Sequence, residues 1–405
     1  MSNEAEPAIL AINLGSSSLK FALYRVSGSG IRVDPILSGK LERIAVDGGQ
    51  FVARDDRQAV LVEQQIMLPN YGAALKAMLD WLKTIPGGQE VRLVGHRVVR
   101  GGAEHNQPQL VTPALLRELK DLIPLAPDHL PQELEAIEIV QRLYPKLQQV
   151  VCFDTAFHRT MPRTAQLYGL PMNLAEQGII RYGFHGLSYE YIVQELAHQA
   201  GEEASRGRII VAHFGNGASL AAIRGGRSVD TTMGFTPTGG LPMSTRSGDL
   251  DPGVIVYLLQ ERNYSPSQVN DLVTKKGGLL GLSGVGSDMK DLLAKERESA
   301  TAAEAIAVFC YQAKRYIGAL AAALGGLDTL VFTGGIGENA SEIRQRICSG
   351  LEFLGINLGV AQNDSNGSII SRAGSAVTVR VIQTNEELMI AQHARDVSAR
   401  IERTG

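Results

Sequence analysis

Long apolar runs, paired cysteines and an excess of charge of one sign are all missing from this 405-residue sequence. No apolar run is long enough to span a membrane, and the polar, acidic stretch 1–7 is unlike a signal peptide. A net charge of −3 gives no indication of a nucleic-acid or membrane partner. Cys152, Cys310 and Cys348 are scattered through apolar segments without metal-ligand spacing. We therefore expect buried free thiols in a cytoplasmic protein.

Glycine is abundant instead, with 44 residues, and the length suits two domains. The stretch 9–24 is an apolar strand, a turn of one glycine and three serines (15–18), and a second strand whose apolar residues alternate. A turn of small residues can bring backbone N–H and hydroxyl groups close to a phosphate. Asn13 and Lys20 flank this turn with one neutral ligand and one cation. An ordinary hairpin turn explains the segment equally well.

A second copy of the pattern favours the phosphate interpretation. The stretch 209–223 is again strand, glycine turn and strand, and Gly215 follows Gly15 by 215 − 15 = 200 residues. Recurrence at half the chain length predicts two related lobes that each present such a hairpin. A nucleotide would then bind in the cleft between the lobes.

The remaining pattern alternates strands and helices, which predicts an α/β first lobe closing near residue 154. Further strands are expected over 31–41 and 51–68, an amphipathic helix over 71–83 and a long apolar helix over 301–324. Ser287 is expected to cap a helix that contains Asp288 and Lys290. The loop 233–252 is polar and rich in Gly and Pro, as binding loops are. A strand that runs through glycines into a helix, near 334–339, is a second candidate phosphate or ribose site.

Eight motifs, taken together and in order, resemble the acetate kinase family over residues 9 to about 391. They occupy residues 13–20, 95–99, 153–158, 181–186, 213–219, 245–252, 332–339 and 384–388. The resemblance implies an α/β fold of two duplicated ribonuclease-H-like lobes, as in the superfamily of acetate and sugar kinases, heat-shock chaperones and actin. It also implies domains 1–154 plus 387–405 and 155–386, with the C-terminal helix packed back on the first lobe, and a homodimer.

The family's function implies particular roles for several residues. Acetate is ionised at neutral pH and needs no general base, so charge neutralisation and positioning are the main requirements of the reaction. Arginines that grip carboxylate and phosphoryl oxygens would meet them. By resemblance, the catalytic residues are Arg97, Asp154, His185 and Arg246. The residues expected to line the acetate pocket are Arg97, Val99, Phe184 and Pro237.

Metal and nucleotide residues follow from the same resemblance. Mg²⁺ is expected, with Mn²⁺ as a substitute, and Asn13 and Glu386 match the metal-associated positions. Thr384 and Glu387 have capping-box spacing, which would turn Glu387 back and leave Glu386 for the metal. Lys290 stands where the family has arginine, which weakens any stacking on adenine. The nucleotide-binding residues are expected to be Lys20, His213, Phe214, Gly215, Asn216, Gly217, Asp288, Met289, Lys290, Gly335, Ile336, Gly337, Glu338 and Asn339.

The resemblance predicts an acetate kinase that forms acetyl phosphate and ADP reversibly from acetate and ATP by direct in-line transfer. A propionate or butyrate kinase is the nearest alternative. A chaperone-like ATPase of the same fold is a second class, but it has no use for a pair of carboxylate-binding arginines. A sugar kinase would need a base and a polar pocket for its hydroxyl acceptor.

Two positions depart from the family's pattern. Arg100 replaces a histidine, and Asp128 replaces an apolar residue of the acetate pocket. A buried, unpaired carboxylate facing the substrate would be costly, so Asp128 should turn away or find a cation. An Arg100–Asp128 ion pair and two independent surface changes remain equally open.

Overall fold

A computed structural model of the protein describes residues 7–15, 17–27, 30–31, 34–85 and 91–404. Ser16 of the first predicted turn lies outside these ranges. The chain forms two compact units. The first consists of the described residues of Met1–Ala156 and of Asn385–Gly405, and the second is Phe157–Thr384. Among the described residues, no helix is both long and apolar enough to cross a membrane.

Strands and helices alternate along both units. The described strands are β1 Ala8–Leu14, β2 Ser18–Ser27, β3 Gly30–Ile31, β4 Leu37–Glu42, β5 Gln50–Asp55, β6 Val60–Gln65, β7 Val91–Val98, β8 Gln109–Leu110, β9 Gln148–Phe153, β10 Arg208–Phe214, β11 Ala218–Arg224, β12 Arg227–Thr231, β13 Thr329–Thr333 and β14 Thr378–Val381. The described α-helices are α1 Tyr71–Leu82, α2 Pro113–Asp121, α3 Leu130–Leu143, α4 Arg163–Gln166, α5 Met172–Glu176, α6 Gly186–Ala200, α7 Glu202–Arg206, α8 Pro252–Gln260, α9 Pro266–Thr274, α10 Gly278–Ser283, α11 Met289–Lys295, α12 Ala300–Leu324, α13 Gly334–Asn339, α14 Ser341–Cys348, α15 Val360–Asp364 and α16 Glu386–Thr404.

The sheet of the first unit is built around the hairpin of β1 and β2. Its strand order is β6-β5-β4-β2-β1-β7-β9-β8, with β3 paired to β2. β1 pairs antiparallel with β2 but parallel with β7, which in turn pairs parallel with β9. Because β1, β7 and β9 run in the same direction, their carboxyl ends meet at one edge of the sheet.

The sheet of the second unit repeats the central part of this topology. Its order is β12-β11-β10-β13-β14, again an antiparallel hairpin, β10 and β11, followed by parallel strands. The order β4-β2-β1-β7-β9 in the first unit has the same sequence of antiparallel and parallel pairings. The duplication inferred from the two hairpins is therefore confirmed at the level of the sheets.

Both stretches expected to form further strands are divided in the structure. The stretch 51–68 is the hairpin of β5 and β6, because the Asp55 carboxylate accepts the Arg57 and Ala59 N–H groups and bends the chain. Gln58 in this turn has a φ of +63°, outside the range of a strand. The stretch 31–41 contributes only Ile31 to β3 before β4 begins at Leu37.

Each unit has its own apolar core. In the first, side chains of β1 and β2 pack with α1, whose buried residues Ala74, Leu75 and Met78 recur at helical spacing. In the second, α6 packs on β10 and β11. α12 ends at Gly325, whose φ of +71° is the left-handed conformation common after helices. The three cysteines are buried and free, as predicted.

Candidate active site

Arg97 is held at the carboxyl edge of the first sheet by two hydrogen bonds. It lies near the end of β7, and its Nη1 donates to the Leu14 carbonyl oxygen at the end of β1 (2.8 Å). Its Nη2 donates to Asp154 Oδ2, just after β9, also at 2.8 Å. The Asp154 side chain is fully buried, whereas Arg97 keeps 12% of its side chain exposed. The guanidinium is thus fixed on one side, where three parallel strands end.

A third charged group of this cluster, Glu133 of α3, was missed from the sequence. Its Oε2 accepts the Val99 N–H (2.9 Å), and its Oε1 lies 4.0 Å from Arg97 Nη1. Burial raises the pKa of Glu133 to about 7, although Arg97 and the Val99 N–H favour its ionised form. Burial disfavours the charged form of Arg97, but Asp154, Glu386 and Glu133 together outweigh this and raise its pKa.

The metal-associated residues also meet in the first unit. Asn13 Nδ2 donates to Glu386 Oε2 (2.8 Å) and to Glu387 Oε1 (2.9 Å). Both carboxylates therefore point to Asn13, at the end of β1. Lys20 is the cross-strand neighbour of Asn13 on β2, so the two side chains share a face of the sheet. Among the described residues, no group of three or more His, Cys, Asp and Glu side chains could hold a metal.

The predicted capping box at the start of α16 is wrong. The cap is Asn385, whose side-chain oxygen accepts the Leu388 N–H at 2.9 Å. Thr384 instead donates its N–H to Glu338 Oε1 (3.2 Å). Because Glu387 is not used as a cap, the sequence argument for preferring Glu386 over Glu387 as a metal ligand no longer holds.

In the second unit, His185 begins α6 from a strained position. Its φ of +59° is left-handed, an uncommon conformation for a residue with a side chain. Its Nδ1 lies 2.8 Å from the Ser219 hydroxyl oxygen on β11. Its ring stacks on that of His213, with the ring centroids 4.2 Å apart. The second nitrogen faces the hairpin turn, because a Cβ built on Gly217 would lie 3.1 Å from His185 Nε2.

Arg246 reaches the same turn from the long loop between β12 and α8. Its Nη1 would lie 3.6 Å from a Cβ on Gly217, and it donates to the Pro237 carbonyl oxygen at 3.1 Å. The structure thus brings His185, His213, Gly217, Pro237 and Arg246 together. Phe184, the residue before His185, is buried, and its carbonyl oxygen lies 2.9 Å from Nε2 of the buried His158.

Two glycine turns lie side by side at the ends of the parallel strands β10 and β13. A Cβ on Gly215 would be 4.0 Å from the Gly335 nitrogen. Gly334 has a φ of +77°, and a Cβ there would lie 2.7 Å from the Phe214 carbonyl oxygen, so only glycine fits. Gly334 and Gly335, which the sequence places between a strand and a helix, form the first turn of the helix α13 itself. Glu338 accepts the Gly334 N–H at 2.8 Å, which gives this predicted nucleotide residue a structural role.

The third predicted nucleotide segment is the start of α11. Asp288, not Ser287 as predicted, caps this helix, since its Oδ1 accepts the Lys290 N–H (2.9 Å) and the Asp291 N–H (3.2 Å). Met289 is buried and Lys290 is exposed. An aspartate before two helical N–H groups caps as well as serine does, so local spacing alone did not distinguish them.

Comparison with known proteins decides the family. The model of the acetokinase family matches residues 8–392. An acetate kinase of Methylocella silvestris is 43% identical over 393 residues, which cover 95% of this chain and 96% of that protein. The chain belongs to the acetokinase family. Members of this acetate kinase family are phosphotransferases with a carboxyl group as acceptor, and they use ATP with a divalent metal.

Solved structures of similar proteins agree with the fold. The crystal structure of Porphyromonas gingivalis acetate kinase is 36% identical and has a TM-score of 0.84, covering 97% of this chain and 100% of that one. A propionate kinase from Francisella tularensis is 35% identical with a TM-score of 0.88, covering 96% of this chain and 100% of that one. The fold class inferred from the motifs is therefore confirmed.

The two departures from the acetokinase pattern occupy different environments. Arg100 is fully buried, and Asp128 is exposed before α3. Asp128 thus faces solvent rather than a closed apolar pocket, and its carbonyl oxygen accepts from the Gln132 side chain. The ion pair between Arg100 and Asp128 stays a prediction.

The sequence contains a signal that indicates a buried Glu133. Leu130, Leu134 and Ile137 form the buried face of α3, and Glu133 lies among them at helical spacing. A carboxylate on the apolar face of a helix needs a partner, because isolated buried charges are costly. In this structure the nearest cation is Arg97, whose Nη1 lies 4.0 Å from Glu133 Oε1.

Proposed function

We propose that this protein is an acetate kinase that transfers the γ-phosphoryl group of ATP to the carboxylate of acetate. The observation that carries the proposal is the anchoring of Arg97 by Leu14 and Asp154, while 12% of its side chain stays exposed. Such a fixed fork suits a planar carboxylate, and its positive charge lowers the repulsion between two anionic substrates. Asp154 orients Arg97 and need not accept a proton, because acetate is already ionised.

Arg246 and His185 are assigned to the transferring phosphoryl group. A carboxylate oxygen attacks the γ-phosphorus while the bond to the β-phosphate oxygen breaks, so charge accumulates on the phosphoryl oxygens. Arg246 and the His185 ring nitrogen that faces Gly217 can donate hydrogen bonds to those oxygens. The neighbouring glycine turns offer backbone N–H groups to the nucleotide phosphates. The products are acetyl phosphate and ADP, and the reaction is reversible.

The divalent metal is proposed to be Mg²⁺, with Mn²⁺ able to replace it. Because Asn13 uses its Nδ2 for the two glutamates, its Oδ1 remains a neutral oxygen ligand. Asn13, Glu386 and Glu387 together offer the hard oxygen donors that Mg²⁺ takes, with waters and phosphates filling its other positions. When bound, the metal would neutralise phosphate charge. The chain's own contribution is to hold these oxygens at the end of β1.

A panel of short carboxylates tests the substrate. The purified protein is incubated with ATP, Mg²⁺ and hydroxylamine, and acyl hydroxamate is measured for formate, acetate, propionate and butyrate. We expect the highest kcat/KM with acetate. A higher value with propionate would establish the alternative, the activity named for the similar Francisella tularensis protein. ATP hydrolysis without any acyl hydroxamate would refute the proposal and favour a chaperone-like ATPase.

We also propose that the protein is a cytoplasmic homodimer. The helix α8 supports the dimer, because none of its nine residues is buried although most are apolar. An exposed apolar face of this size is typical of an interface. Its exposed large side chains are Val254, Val256, Tyr257 and Leu259.

Light scattering after gel filtration tests the dimer. Val256→Lys should give a monomer, whereas Val60→Lys, which changes an equally exposed valine on β6, should not. A wild type that elutes as a monomer at all concentrations would contradict the proposed dimer.

A further inference from the structure

The cluster around Arg97 contains more negative than positive charge. One guanidinium faces the carboxylates of Asp154 at 2.8 Å and Glu133 at 4.0 Å, and the side chains of both acids are 1% exposed or less. Under the proposed function, a third carboxylate, that of the substrate, must bind the same guanidinium. Like charges that share a poorly solvated site cannot all remain ionised cheaply, so one of them tends to take up a proton.

The geometry shows which acid is suited to that proton. Asp154 has a direct, charge-assisted hydrogen bond from Arg97 at 2.8 Å. Glu133 has no such bond, because 4.0 Å exceeds hydrogen-bond distance. Its Oε2 accepts the Val99 N–H and continues to do so as the carbonyl oxygen of a neutral acid. Among the described residues, its buried Oε1 has no hydrogen-bond partner, so a proton there displaces nothing.

We propose, on the basis of the proposed function, that Glu133 is a positioning residue that takes up one proton when the substrate carboxylate binds Arg97. In its ionised form Glu133 competes with the substrate for the charge of Arg97. In its neutral form it leaves that charge to the substrate while still holding the Val99 backbone. Carboxylate binding is therefore weakened by rising pH, although the substrate itself is ionised throughout.

Arg97 and Tyr71, two titratable groups that interact with Glu133, do not account for such a change near neutral pH. Arg97 keeps its charge, because its pKa is raised. Tyr71 of α1 has its pKa raised to about 12, by burial and by Glu133. Glu133 itself has a pKa of about 7, which places its ionisation in the physiological range.

The test is the KM for acetate between pH 6 and pH 9 at saturating ATP and Mg²⁺. In the wild type we expect KM to rise about tenfold over this range, with a slope of at most tenfold per pH unit for one proton. Glu133→Gln keeps an acceptor for the Val99 N–H but has no charge, so its KM should stay low and lose this pH dependence. The matched control Glu135→Gln removes an exposed carboxylate from the same helix and should behave as the wild type.

A merely structural Glu133 would give a different result. Glu133→Gln would then change kcat and both KM values alike and would keep the wild-type pH profile, which would overturn the proposal. If that variant does not fold, calorimetry of acetate binding to the wild type in two buffers of different ionisation enthalpy still measures proton uptake. We expect uptake of about half a proton or more near pH 7.5.

The outcomes for the two proposals can be separated. Acetate turnover or acetate binding without proton uptake would overturn the role of Glu133 alone. Acetate binding with proton uptake but without acetyl phosphate formation would support the role of Glu133 and refute the proposed function. No acetate binding at all would overturn both.

Discussion

Replacing Arg97 with alanine should destabilise the first unit as well as abolish turnover. The substitution removes two 2.8 Å hydrogen bonds and leaves the buried carboxylates of Asp154 and Glu133 without their cation. Removing one partner of a buried ion pair typically costs about 3–5 kcal/mol. For a cooperative unit of this size, each kcal/mol lowers Tm by about 2–4 °C, so we expect a fall of roughly 6–20 °C. Loss of a preorganised donor should lower kcat/KM by at least about 100-fold.

Differential scanning calorimetry at pH 6 and pH 8 measures the stability. The fall in Tm should be larger at pH 8, because Arg97 favours the ionised form of Glu133 and its loss makes that ionisation more costly. Adding Glu133→Gln to Arg97→Ala should recover part of the loss. Arg92→Ala is the matched control, since Arg92 lies on the same strand but is exposed. A Tm of Arg97→Ala within about 2 °C of the wild type at both pH values would refute the reasoning.

Three further predictions use the same assays. Burial raises the pKa of Glu133 in the folded protein from the ordinary 4.5 to about 7, so the contribution of Glu133 to stability is complete only below pH 4.5. As pH rises from 4.5 to 7, the wild type should therefore lose stability, whereas Glu133→Gln should not. An equal change of Tm with pH in the two proteins would contradict this. Arg246→Ala should lower kcat/KM at least about 100-fold, because a donor to the phosphoryl oxygens is lost; a variant as active as the wild type would contradict this. Glu386→Gln and Glu387→Gln should each raise the Mg²⁺ concentration for half-maximal activity, whereas Asn385→Ala should mainly lower stability by about 1 kcal/mol; a metal defect in only one glutamine variant would single out one ligand.

The repeated hairpin could be predicted from the sequence, because its signal is local and occurs twice. Alternating apolar residues specify a strand, and glycine specifies the turn. The two strands predicted within 9–24 and within 209–223 are therefore confirmed as antiparallel pairs. The predictions of α1 and α12, whose apolar residues recur at helical spacing, are also confirmed. The family motifs also predict the site residues Arg97 and Arg246. Arg97 contacts Asp154, and Arg246 lies near Gly217, each a residue of another motif.

What the sequence could not provide were contacts between distant segments. Glu133 and Arg97 are 36 residues apart, and only the packing of α3 beside β7 brings them together. Thr384 had the spacing of a helix cap, but the neighbouring Asn385 competed for that role and formed the cap. A local motif states which hydrogen bonds are available, and tertiary packing decides which of them form.

The last helix, α16, has a consequence for the order in which the protein can fold during synthesis. Ile390 packs so closely on β7 that a methyl group at Gly95 would lie 2.5 Å from its side chain, and its carbonyl oxygen contacts the Cys152 thiol of β9. The ribosome releases this helix only after all of Phe157–Thr384 has been made. The amino-terminal part of the first unit is synthesised first, but it cannot complete its folding until α16 is made. Until then, part of its apolar sheet stays exposed. Chaperone dependence in the cell should accordingly be a property of the amino-terminal half.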